Sequence, residues 1–242
     1  MIGVILAAGM AKRLRPLTDE CPKCLLKIGQ RTLLQRTVDA VIEAGITEFV
    51  VVTGYKNNMI EFFLKTNYPS LTIHFIDNPD YAHNNNIFSL WLTKPYTEGQ
   101  DFLLLDSDIL FDPAIIPVII GQKGSVLALN RHELGEEEIK VIVNNEGYVK
   151  EISKVCSVKE AIGESVGIEK MTAEYSKALF KELQHMVVDE GLINVFYEKA
   201  FERLISQGHT FKVVDTTNFF SIELDTVEDF ENAKKLIPAN LF

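Results

Sequence analysis

Nowhere in these 242 residues does an apolar run approach the roughly 20 positions that a membrane-spanning helix requires, so membrane insertion is not expected. Cysteine is scarce, with three in the chain. Cys21 and Cys24 form a C-x-x-C, which alone suggests a redox pair or half of a zinc site. The other half is missing: Cys156 stands alone and the five histidines are scattered. The more economical reading is two cysteines flanking a Pro-Lys by accident. Positive charge is also in short supply, with 24 Lys and Arg against 34 Asp and Glu and a net charge of −10. A chain this acidic is a poor partner for nucleic acid or for anionic membrane. No repeat, low-complexity tract or linker splits the sequence. The first residues lack the basic segment that opens a signal peptide, and a cytoplasmic protein is the simplest expectation. One domain covering 1–242 is expected, long enough to bury most of its apolar surface.

Against this background the stretch Leu6 to Lys23 is locally cationic. A short apolar run, Met1 to Leu6, reads as a buried strand. Ala7, Ala8 and Gly9 then let the backbone approach a neighbour closely. Lys12, Arg13 and Arg15 follow within four positions, and Lys23 closes the segment after a proline. A strand running into a small, cationic loop is how α/β proteins present amides and fixed charge to a phosphate. A basic surface turn is the competing reading.

Farther on, Leu33, Leu34, Val38, Val41 and Ile42 recur at helical spacing, with Gly45 as a stop. Phe49 to Thr53 is a β-branched strand and Leu71 to Ile76 another. Asn57 is placed to cap an intervening helix. Phe102 to Leu105 is an uninterrupted apolar run. Strands alternating with helices predict a doubly wound, mainly parallel mixed sheet flanked by helices, with ligands beyond the carboxyl ends of the strands. At one such end stand Asp106, Ser107 and Asp108. Magnesium takes hard oxygen ligands, commonly one or two carboxylates plus substrate phosphates. Asp112, directly before Pro113, is the better helix cap, which leaves Asp106 and Asp108 for other work. After Asp77, the consecutive Asn84, Asn85 and Asn86 exceed what one cap requires, and amides offer both donor and acceptor to a base or ribose. A helix over Pro113 to Ile120, a hairpin joining Val141–Val143 to Tyr148–Ser153, helices over Ala173–Met186 and about 194–206, and strands over Phe211–Asp215 and Phe219–Asp225 complete the reading. Thr226 caps a last helix.

The first loop resembles the signature LAAGxGxRLxPxTxxxPKxL of the nucleotidyltransferases that make nucleoside-diphosphate sugars and CDP compounds. Here it reads Leu6-Ala7-Ala8-Gly9, Arg13-Leu14, Pro16, Thr18, Pro22-Lys23 and Leu25, with Ala11 at the second glycine. Asn85, Asn86, Ser89 and Leu90 match an N-N-x-x-S-L pattern that is similar to the phosphocholine cytidylyltransferase branch. Glu223, Asp225 and Thr226 match its E-x-D-T. The resemblance covers essentially the whole chain and implies a Rossmann-like nucleotide-diphospho-sugar transferase fold, with a nucleotide part over about 1–110 and an acceptor part over about 111–242. It implies Mg²⁺ on Asp108 and Asp225, and CTP and a small phosphorylated acceptor as partners. Arg13, helped by Lys12 or Arg15, is assigned to the outer phosphates, and Lys23 to the space between α-phosphate and acceptor phosphate. Lys140 is matched to a lysine that contacts one of those phosphates. Asn85, Asn86, Asp106 and the backbone at Leu6, Ala7, Ala8 and Gly9 are assigned to the nucleotide. Tyr81, Trp91, Glu164 and Phe219 are assigned to the acceptor, the aromatics as a wall for a quaternary ammonium. Phosphocholine or a related amino-containing phosphate is the expected acceptor. A sugar 1-phosphate acceptor, a silent nucleotide-binding regulatory domain and a homo-oligomer stay open.

Overall fold

The structure, a computed structural model, describes residues 1–239 and 241. The chain opens with β1 (Ile2–Ala7), and short turns of helix at Lys12–Leu14 and Lys23–Leu25 carry the cationic loop. A small hairpin, β2 (Lys27–Ile28) and β3 (Arg31–Thr32), leads into α1 (Leu33–Glu43), β4 (Glu48–Thr53), α2 (Asn57–Asn67) and β5 (Thr72–Asp77). Next come α3 (Asn86–Leu92), α4 (Lys94–Thr97), β6 (Phe102–Asp106), β7 (Ile109–Phe111), α5 (Ile115–Ile120) and β8 (Val126–Asn130). The last third contains β9 (Lys140–Val143), β10 (Val149–Ser153), β11 (Gly163–Met171), α6 (Ala173–Gln184), α7 (Glu198–Ser206), β12 (Lys212–Asp215), β13 (Ser221–Glu223) and α8 (Val227–Leu236). No helix among the described residues is long and apolar enough to cross a membrane.

Nine strands form one mixed sheet in the order β10-β9-β11-β6-β1-β4-β5, with β8 beside β11 and β12 beside β8. β6, β1, β4 and β5 run parallel, while β11 is antiparallel to β6, β8 and β9. Chain order reverses across β1, whose neighbours are β4 and β6, so the crevice beyond β1 and β6 is the topological switch point.

Successive β1 residues serve opposite faces, as a period-2 strand must. Ile2, Val4 and Leu6 pack under α3, α6 and α7, while Ile5 and Ala7 pack under α1, α2 and α5. Phe102, Leu103, Leu104 and Leu105 divide between the faces in the same way, each fully buried. Burial of this kind stabilises by about 1.5–3 kcal/mol per large side chain. Helix α1 starts where Thr32 accepts the Gln35 amide at 3.0 Å. It ends before Gly45, whose φ of +89° provides the left-handed stop.

The sequence boundaries need small corrections. Lys56, not Asn57, occupies the cap position of α2. The helix after Asp112 begins at Ile115, while the Asp112 carboxylate accepts the Ala114 amide. The strand anticipated over Phe219–Asp225 shrinks to three residues, because among the described residues it pairs with β7 alone, which has three.

A third apolar cluster matters most for function. Leu14, Ile28, Leu33, Leu110, Leu224, Phe230 and Ala233 pack together and seat α8 beneath the cationic loop. The ladder of β7 with β13 sets Glu223 opposite Ile109. One step beyond it, the Leu224 amide donates to the Asp108 carbonyl at 3.1 Å. These contacts bring the two acidic motifs side by side.

Candidate active site

The loop after β1, the end of β6, the start of β11 and the segment Ser221–Asp225 surround a cleft of about 880 Å³ at the switch point. The Asp108, Glu223 and Asp225 carboxylates each offer an oxygen within 4.8 Å of the others. Lys23 Nζ donates to Asp225 at 2.8 Å and to Asp108 at 3.1 Å. Arg13 pairs with the second Asp225 oxygen. Asp225 is free for this because Thr226 and Asp229 form the capping box of α8 between themselves.

Charge crowding sets the ionisation of the group. Burial works against the Lys23 charge, but Asp108 and Asp225 outweigh it and hold the amine above its ordinary value. Burial would likewise raise the Asp225 carboxyl, but Lys23 and then Arg13 keep it below the usual carboxylate range. Glu223 pairs with no cation among the described residues. Loss of solvent, then Asp108 and Asp225, push its carboxyl up to about 8. Three hard oxygen donors this close together fit a magnesium ion, whose charge would favour the ionised form of Glu223.

Ala11 stands in the left-handed region, at φ 46° and ψ 54°. The loop thus keeps the conformation a glycine would adopt there, and its carbonyl takes bonds from Leu14 N and Thr18 Oγ1, both at 3.0 Å. Leu6, Ala7, Ala8, Gly9, Lys12 and Arg13 all line the cleft.

Asn85 and Asn86 line it too, but each also has a structural duty. The Asn85 side chain caps α3 through the Asn86 amide, and Asn86 Oδ1 accepts the Tyr197 amide at 2.9 Å. Asn84 exchanges amide hydrogen bonds with Asn78, at 2.8 and 3.0 Å. Tyr81 lines the cleft at the Ala8 end: a Cβ on Gly54 would meet both the Ala8 carbonyl and Tyr81 at 2.8 Å. It therefore stands close to Ala8, one of the residues assigned to the nucleotide. Glu164 does face the cleft, accepting from His132 Nε2 at 2.7 Å.

Three assignments are corrected. Lys140 does not reach the cleft. Its side chain is buried, and its ammonium donates to the carbonyls of Lys154, Glu138 and Glu136 at 2.6, 3.2 and 3.3 Å. Trp91 packs against the core and Phe88, and its indole donates to Gln184 at 3.2 Å. Phe219 packs on the opposite face of the sheet. Neither lines the cleft, so the expected aromatic wall keeps only Tyr81 of its three members.

Other side chains take those places. Lys154, held from behind by Lys140, faces the cleft with its Nζ 5.0 Å from the ring centroid of Phe196. Glu198, at the first position of α7, lines the cleft while only 6% exposed. Asp106 also lines the cleft, with its carboxylate turned to Tyr197 Oη at 3.0 Å. Burial, reinforced by Asp108, Glu169 and Glu198, raises the Asp106 carboxyl well above the ordinary range. Neither Lys154 nor Glu198 belongs to a local motif. Only Glu223, inside the E-x-D-T, carried a sequence signal.

Known proteins share both the sequence and the shape. The "Bifunctional IPC transferase and DIPP synthase" of Aquifex aeolicus is 27% identical over 97% of this chain, and the chain spans about half (51%) of that relative's length. The "CTP:phosphoglutamine cytidylyltransferase" of Campylobacter jejuni is 23% identical, covering 96% of this chain and 98% of its own. The solved CTP:phosphocholine cytidylyltransferase from Streptococcus pneumoniae superposes with a TM-score of 0.83 at 20% identity, over 98% of this chain and 99% of that one. The family match itself runs over residues 2–122, from β1 through the loop, the asparagine cluster and the D-x-D, and on this ground the chain belongs to the nucleotidyl transferase family.

Proposed function

We propose that the protein is a cytidylyltransferase that joins CTP to a small amino-containing phosphomonoester, giving a CDP-linked product and pyrophosphate. The observation that carries the reading is Lys23 bonded to both Asp108 and Asp225 beside Arg13, four side chains from three separate segments converging at one point of the cleft. The naming of two similar proteins as CTP-dependent cytidylyltransferases supports the nucleotide.

In this reading the backbone at Ala7, Ala8 and Gly9, with Asn85 and Asn86, orients the nucleoside. Arg13 and Lys12 hold the outer phosphates. Lys23 lies between the α-phosphate and the acceptor phosphate and offsets their mutual repulsion. Lys154, not Lys140, lines the cleft, and it stands beside Phe196. An acceptor phosphate oxygen bonds to the α-phosphorus as the bond to the β-phosphate breaks, and pyrophosphate leaves. No side chain forms a covalent bond; the residues position the reactants and neutralise charge. Asp108, Glu223 and Asp225 would hold magnesium, which supplies further neutralisation of the phosphate oxygens.

Asp108→Asn and Lys23→Ala should each lower CTP-dependent pyrophosphate release by about 10²-fold or more, while circular dichroism and the melting curve retain one folded transition. Undiminished turnover in either folded variant removes the role given to that residue.

A further inference from the structure

Behind the phosphate-facing cluster the cleft ends in a second acidic group with a different character. Asp106, Glu169 and Glu198 converge around Tyr197, and Glu169 and Glu198 are 0% and 6% exposed. The bonds they accept come from hydroxyls: Asp106 from Tyr197 at 3.0 Å and Glu169 from Ser165 at 3.2 Å. One oxygen of Glu169 and one of Glu198 have no hydrogen-bond partner among the described residues. The orphan oxygen of Glu198 belongs to a residue that lines the cleft. An acid at a helix start normally satisfies itself on the first amides of its own helix; the Glu198 amide does favour its carboxylate, but Oε2 is left over. A buried carboxylate without a donor is costly, and an orphaned polar group at a cleft calls for an explanation such as a catalytic role or a bound ion.

We infer that this recess receives a primary ammonium at the far end of a short phosphorylated acceptor, so that the substrate class is an unmethylated aminoalkyl phosphomonoester. This rests on the function proposed above and narrows it. The reasons are chemical. Orphan carboxylate oxygens need N–H donors, and an alkylammonium brings three. A trimethylammonium brings none and depends on aromatic faces. The aromatic face at this end of the cleft is that of Phe196, and Lys154 already lies over it at 5.0 Å. Spacing limits the length of the acceptor. Asp106 ends β6 and Asp108 stands two residues on, in the turn before β7, so their backbones are at most about 7 Å apart, with Asp108 toward Lys23 and Asp106 toward Tyr197. Nitrogen and phosphorus are therefore separated by a few bonds only.

The test compares 2-aminoethyl phosphate, 3-aminopropyl phosphate, phosphocholine and 2-hydroxyethyl phosphate as acceptors, with CTP and Mg²⁺. It reads pyrophosphate release, and separately the melting temperature with each acceptor and no CTP. The inference expects kcat/KM for one of the two primary amines to exceed phosphocholine and the hydroxyethyl compound by about 10-fold or more. It also expects Glu198→Gln to remove most of that preference through KM, leaving the hydroxyethyl compound within a few-fold. Phosphocholine used as well as the amines overturns the inference and leaves the cytidylyltransferase reading standing; so does a Glu198→Gln loss that is equal for all acceptors. A melting shift selective for the primary amines without pyrophosphate release overturns the reaction and keeps the recess. Neither shift nor release with any acceptor overturns both. The acceptor series in the unaltered protein decides the matter even if Glu198→Gln fails to fold.

Discussion

Ala11 and Glu198 both hold conformations or environments that their side chains disfavour. A left-handed L-residue costs about 1–2 kcal/mol, and Ala11 keeps that geometry because Leu14, Thr18 and the third apolar cluster hold its loop. Ala11→Gly should raise stability by about 0.5–1 kcal/mol, since glycine's larger unfolded-state freedom cancels part of the gain. Urea unfolding measures this, and an unchanged or lower midpoint contradicts it. For Glu198, burial raises the carboxyl from 4.5 to about 7. A carboxyl whose folded pKa lies above its unfolded one favours the folded state in its protonated form. Its contribution is complete below pH 4.5 and is lost as pH rises through about 7. The size is on the order of 3 kcal/mol. Glu198→Gln should therefore gain on the wild type between pH 4.5 and pH 8, seen as a flatter stability–pH curve in urea titrations. Parallel curves for the two proteins would show that Glu198 ionises as freely as in the unfolded chain.

The hairpin β9–β10 shows why a lysine at a strand start was misread from sequence. A lysine there is ordinarily exposed or facing a ligand. Lys140 instead spends its ammonium on three carbonyls, two from the acidic segment before β9 and one from Lys154 after β10. It clamps the two ends of the hairpin and fixes the backbone from which Lys154 projects into the cleft. Lys140→Met keeps the apolar stem and removes the donors. It should cost about 1–3 kcal/mol and raise KM for the acceptor more than it lowers kcat, which steady-state kinetics beside denaturation curves would resolve. Loss of kcat with unchanged stability would instead mean that the ammonium reaches substrate. β11 shows a related device. Its register shifts between Ser165 and Glu169, where Gly167 has φ +74°, and a Cβ there would come within 2.8 Å of Asp106. The bulge lets one strand pair with β9 at its start and β6 at its end, while bringing its backbone against the acidic end of β6.

Taken whole, the protein joins residues 202 positions apart in one hydrogen bond, Lys23 to Asp225. Any ligand held there bridges the first loop and the α8 segment, and so stabilises the entire fold by mass action. CTP with Mg²⁺ at about 100 times its dissociation constant adds about 2.7 kcal/mol. That corresponds to roughly 5–10 °C in melting temperature for a chain of this size. Chelation of the metal with EDTA should remove most of the shift, and Asp108→Asn should abolish it. A shift that survives both would place the nucleotide away from these carboxylates.

The alternating strands and helices, the cationic loop after the first strand, and the acids ending the fourth apolar run were legible in the linear chain. Each depends on neighbours within a few residues: hydrophobic periodicity, small residues at a turn, a Thr-x-x-Asp cap that leaves Asp225 unused. Glu198, Phe196, Lys154 and the buried role of Lys140 were not legible. Their surroundings come from segments far apart in sequence, and a carboxylate carries no local mark of whether water or an apolar wall will face it. The approach of Asp225 to Asp108 lies between these cases. The motifs announce both acids, but they meet because Leu224 packs with Leu14 and Leu110 and because β13 pairs with β7. Packing and register across the whole fold convert two separate acidic turns into one site.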